Sequence, residues 1–100
     1  LTFTPAEDGV LKLTIGCEAE GVSGGDWGSS ILLKPFFIQG GSPTYGDAIP
    51  VTSGRLPHFV QEDFDVVGGV SCECGLYGYI TGAVALTVWN VKIAAKLYKR

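Results

Sequence analysis

The sequence of 100 residues has no methionine, one histidine and three cysteines. No apolar run reaches the ~20 residues that a membrane-crossing helix requires. Nor does a basic-then-apolar leader open the chain. No membrane insertion is therefore expected, and with no initiator methionine Leu1 reads as the start of a piece processed or excised from something longer. Three cysteines are too few, and too odd, for a disulfide framework. Cys17, Cys72 and Cys74 read as buried thiols acting as small hydrophobes, with a Cys17 pairing to either of the others left open. A C-x-C without a second Cys or His cluster leaves metal coordination incomplete, so neither metal nor cofactor is expected. Cations are scarce too: Lys and Arg total 7 against 10 Asp and Glu, a formal net charge of −3. The one basic cluster, Lys92, Lys96, Lys99 and Arg100, reads as a solvated strand face and a soluble tail. Nucleic acid, which demands clustered cations, is not an expected partner.

What is abundant points to sheet. Glycine numbers 15, about twice the usual share, and each costs backbone entropy on folding, so tight turns and bulges must be frequent. The apolar fraction of 46% is that of a globular protein. The length allows one domain with a thin stability margin, which makes burial between subunits attractive.

Period-two alternation dominates the clear segments. From Val10 to Glu20, Leu11, Leu13, Ile15, Cys17 and Ala19 share one face, while Lys12, Thr14, Glu18 and Glu20 share the other, as in a half-buried strand. A short extended piece, Leu1–Thr4, precedes it across the Asp8-Gly9 turn. Gly21 to Ser30 reads as a loop. Ile31 to Gln39 is apolar on both faces, as in a strand covered on both sides, with Pro35 placing it at an edge or a bulge. Gly40 to Gly46 reads as a second loop, Ala48–Val51 as a short strand, and Pro57 to Val67 as extended. Val70 to Ile80 alternates again, with Val70, Cys72, Cys74, Leu76 and Ile80 opposite Ser71, Glu73, Tyr77 and Tyr79. Ala83–Val88 and Val91–Tyr98 are strand-like, and their apolar sets are out of phase, which requires a bulge or turn near Trp89-Asn90. Helix fails over this last stretch because its β-branched residues and lysines do not segregate at helical spacing. The expected fold is an all-β antiparallel sandwich or jelly roll of about seven to nine short strands.

Chemistry has few places to reside. His58, the one available imidazole base, lies in an apparent strand, and no G-x-S-x-G or comparable motif surrounds any serine, so no enzyme is expected. Glu62, Asp63 and Asp65 lack calcium-loop spacing and read as a solvated strand end. Glu18 and Glu20 lie side by side on an open strand face, not across a cleft as glycosidic carboxylates do. Aromatics in glycine-rich loops are the more informative pattern. Trp27 stands next to Asp26, and Tyr45 two residues before Asp47. An aromatic face with a nearby carboxylate suits a sugar ring, covering its C–H side while the carboxylate takes its hydroxyls. The competing account has Trp27 and Tyr45 folding back to lid the ends of the sandwich. Tyr77, Tyr79 and Trp89 are placed opposite the apolar sets, as expected of a subunit interface or of a misassigned face.

Three stretches carry a family resemblance: "LTFTPAEDGVLKLTIGCEAEG", "SSILLKPFFIQGG" and "TVWNVKIAAKLYKR". An extended piece turns through P-x-x-D-G into an alternating strand, and a last core strand closes the chain. This layout, spanning nearly all of the sequence, resembles the small jelly-roll heads of bacteriophage tail fibres and tail needles, themselves similar to tumour necrosis factor and complement-type heads. The resemblance implies a homotrimer on the virion surface, extracellular, attaching to a host cell-surface glycan or protein. It transfers no binding residue, because loops vary in that family. Two further readings stand beside it: a structural capsid or decoration subunit, and a carbohydrate-binding module of a larger protein.

Overall fold

A computed structural model describes residues 1–23, 31–51, 54–80 and 84–99. These form eight strands and, among the described residues, no helix: β1 (Thr2–Phe3), β2 (Gly9–Ser23), β3 (Ile31–Ile38), β4 (Thr44–Tyr45), β5 (Ile49–Pro50), β6 (Leu56–Val66), β7 (Cys72–Ile80) and β8 (Val84–Lys99). Two antiparallel sheets face each other as a β-sandwich. One has the order β1-β7-β3-β4, with β5 also paired to β3, and the other the order β6-β2-β8.

The alternating residues of β2 supply one wall of the core. Leu11, Leu13, Ile15, Cys17 and Ala19 are buried and their neighbours half-exposed. Ile31, Leu33, Pro35 and Phe37 of β3, with Cys72 and Cys74 of β7, supply the facing wall. Phe37 and Phe64 stack across the gap, with ring centroids 5.3 Å apart and planes at 17°. All three cysteines are free and buried. Burial pushes each thiol above its ordinary pKa, because a thiolate in apolar surroundings loses its hydration.

Pro35 stands in an inner strand without a bulge, not at an edge, and its orientation accommodates it. Its carbonyl accepts the Gly46 N–H at 2.8 Å, so its polar edge faces away from β7, into the gap between the short strands β4 and β5. No ladder bond to β7 is lost. Two turns are tied together at one end of the sandwich. Asp8 Oδ1 accepts the Gly68 N–H at 2.8 Å, and the Pro5 carbonyl accepts the Gly69 N–H at 2.7 Å.

The phase change in the last strand is a β-bulge within one continuous element. Gly16 pairs with Lys92 and Glu18 with Trp89, so Cys17 opposes two residues of β8. Asn90 takes up the extra length at φ 53°, a left-handed conformation that asparagine tolerates better than most residues. Leu86 and Val88 on one side, and Ile93 and Ala95 on the other, thereby all face the core.

Several expectations need correction. Gly21, Val22 and Ser23 continue β2 and are not part of a loop, and Val70 lies outside β7 and is exposed. Ile31 to Gln39 is covered on one face only: Leu32, Lys34, Phe36 and Ile38 remain half-exposed, because no third layer packs on them among the described residues. Tyr45 lies not in a loop but in β4, paired to Phe36. Glu62 parts from Asp63 and Asp65, because strand alternation turns it to the core side opposite Leu13, where its Oε2 accepts the Asp47 N–H at 3.3 Å.

Candidate binding face of the five-stranded sheet

The outer face of this sheet is built by parity. On β3 the outward residues are Leu32, Lys34 and Phe36, and their partners on β7 are Tyr79, Tyr77 and Gly75. Phe36 is also opposite Tyr45 on β4. The consecutive strands β3 and β4 and the distant β7 thus bring three tyrosines around one lysine. Lys34 Nζ lies 5.5 Å from the centroid of the Tyr45 ring and 5.7 Å from that of Tyr79. The Tyr45 and Tyr77 rings are 5.3 Å apart at 48°. Each tyrosine nevertheless stays 40–43% exposed.

The glycine at position 75 has a role in this surface. A Cβ there would come within 3.0 Å of the Phe36 ring, so the ring lies over bare backbone. Lys34 is held by ring faces, whose negative quadrupoles attract its ammonium, and no carboxylate neutralises it within salt-bridge distance among the described residues. Flat, half-exposed rings beside a cation can cover the C–H face of a sugar and donate hydrogen bonds to its oxygens. They suit a protein surface equally well.

The sites expected from sequence are only partly brought together. Tyr45, Tyr77 and Tyr79 converge, although their sequence contexts suggest a ligand site for the first and a subunit contact for the other two. Asp47 is exposed, and the contact it makes is through its backbone N–H to Glu62. Asp26 and Trp27 lie outside the described residues. Trp89 belongs to the other sheet, opposite Glu18. There the Arg55 guanidinium stacks 4.1 Å from its ring centroid while bonding Glu18 at 2.9 Å. Asn90 Nδ2 donates to the same Glu18 oxygen at 2.7 Å. Arg55 first, and then Asn90, hold the Glu18 carboxyl below the usual carboxylate range. Trp89 is thus engaged within its own chain. Lys34 was missed by sequence reasoning. The signal was present in its position: a single cation inside the apolar run from Ile31 to Ile38.

His58 faces Cys17 across the β2–β6 ladder, and its Nε2 is buried without a hydrogen-bond partner. Beside them, a broad open depression of about 700 Å³ is lined by residues that include Glu18, Phe59, Asn90 and Lys92. A Cys–His nucleophile needs a thiol whose pKa is lowered, and burial moves Cys17 the other way. No protein-family model, curated protein or solved structure matches this chain.

Proposed function

We propose that this domain is a non-enzymatic attachment domain, the receptor-binding or tip portion of a viral (phage) fibre. In this reading it is displayed on the virion surface as a homotrimer and contacts a host cell-surface glycan or protein through the tyrosine face. The observation that carries the binding reading is Lys34 held between Tyr45 and Tyr79, with Tyr77 alongside, all on a surface left open. An aromatic cluster of this size on a sheet face is costly to expose unless something covers it. The strand order, in which β8 joins β2 and β7 lies between β1 and β3, supports the jelly-roll form, since chain-distant strands alternate between the two sheets. The raised pKa of Cys17 next to the only histidine supports the non-enzymatic part.

The test is the triple variant Tyr45→Ala, Tyr77→Ala, Tyr79→Ala, checked for native circular dichroism and assayed on a glycan array and on host cells. Binding is expected to fall about tenfold or more for each ring removed. Full binding by the triple variant would remove this face from recognition. Loss of assembly in place of binding would mark the face as a subunit contact, favouring the structural-component alternative.

A further inference from the structure

We infer that copies of this chain associate head to tail through the two free edges of the three-stranded sheet, the basic β8 of one copy lying along the acidic β6 of the next. This rests on the homo-oligomeric part of the proposed function and names the surface that part leaves open. β6 and β8 end the order β6-β2-β8, and among the described residues no strand pairs with their outer edges. β8 has 16 residues, which at ~3.3 Å each extend about as far as the molecule's 48 Å long axis. An edge of that length is a template for pairing unless something covers or blunts it.

The two edges differ in charge. β8 carries Lys92, Lys96 and Lys99 and no acidic residue, whereas β6 carries Glu62, Asp63 and Asp65 and no Lys or Arg. Lys92, Lys96 and Asp63 are exposed, whereas Lys99 pairs with Glu7 at 3.5 Å and Glu62 is turned inward to Asp47. Pairing of like edges about a two-fold axis would set lysine against lysine or aspartate against aspartate, and is disfavoured. Unlike edges attract. Apolar surface is available on both: Leu97 and Val91 of β8 are 44% and 46% exposed, and Leu56 and Phe59 of β6 are 48% and 69% exposed.

Register adds a geometric argument. Lys12 of β2 faces Asp63 on one side and Lys96 on the other. Val10 likewise faces Asp65 and Tyr98. Lys96 and Asp63 therefore lie at one height along the strands, and so do Tyr98 and Asp65. Since β6 and β8 are both antiparallel to β2, they run parallel to one another. A rotation about an axis parallel to the strands, with no slide, brings β8 beside β6 of the next copy and Lys96 level with Asp63 of the partner subunit. Closed cyclic assemblies of more than two subunits require a contact of this kind, in which two different patches meet without translation.

The experiment is sedimentation velocity with light scattering on the full chain, over a range of protein and salt concentrations. The expected mass is a multiple of 10.5 kDa, with association weakening as salt screens the edges. Lys92→Glu with Lys96→Glu should weaken association about tenfold or more, as should Asp63→Lys with Asp65→Lys. All four changes in one chain exchange the signs of the two edges and should restore it. If circular dichroism shows a reversed variant unfolded, Lys96→Gln and Asp63→Asn replace it, with the same direction expected. An oligomer that the reversals leave intact would overturn this surface alone. A wild-type monomer at high micromolar concentration would overturn the surface and the homo-oligomer together.

Discussion

Replacing Asn90 tests the bulge that keeps both halves of β8 facing the core. Asn90 contributes twice: it accepts a left-handed backbone at φ 53°, and its side-chain amide donates to Glu18 at 2.7 Å. A β-branched residue in that backbone region costs about 1–2 kcal/mol. Losing a solvent-exposed hydrogen bond costs a further ~0.5–1 kcal/mol. Asn90→Val should therefore destabilise the fold by about 2–3 kcal/mol. Asn90→Gly loses the same hydrogen bond but relieves the backbone, so its net change should stay within about 1 kcal/mol. Urea unfolding followed by circular dichroism reads both. With a slope of about 1–2 kcal/mol per molar, the valine variant's midpoint should fall by about 1–3 M and the glycine variant's by about 1 M or less. Equal losses for valine and glycine would mean that backbone conformation is not what position 90 supplies. A valine variant as stable as wild type would mean that β8 has no left-handed bulge there.

Two other predictions concern titration and reactivity. Glu18 has its carboxyl pKa lowered in the folded protein, chiefly by Arg55 and then by Asn90, so its contribution to stability is present above the unfolded value and disappears as pH falls through the folded one. Urea midpoints measured across a pH series should show Glu18→Gln less stable than wild type at neutral pH, with the difference vanishing in acid; a gap that persists unchanged into strong acid would refute the pairing. Cys17, Cys72 and Cys74 are buried and their thiols are shifted upward, so an aromatic disulfide reagent should react slowly in native buffer and titrate three thiols in urea. A rapid native reaction at any one of them would contradict its burial.

Particular elements show how far the sequence could be read. Leu11, Leu13 and Ile15 occupy the core because alternate residues of any strand lie on one side, a property of the backbone alone. The same logic placed Cys72 and Cys74 inward, Tyr77 and Tyr79 outward, and the irregularity of β8 at Trp89-Asn90. Alternation failed where a residue's environment depends on another strand. Alternation does set Glu62 on the face of Val60 and Phe64, away from Asp63 and Asp65, but that a carboxylate is tolerated there depends on the segment of Gly46 and Asp47 that covers it. Tyr45 has the flanks of a loop residue and became a strand residue because β3 offered it an edge. The pairing of Arg55 with Trp89 spans 34 positions and was invisible for the same reason.

Strand, face and phase were thus determined by the sequence itself, since they follow from the two-residue repeat of an extended backbone and the burial preferences of its side chains. Which strands became neighbours was decided only in three dimensions, and with it the gathering of tyrosines around Lys34 and the separation of basic and acidic edges. Sheet order depends on contacts between distant segments, and no local window of sequence contains them.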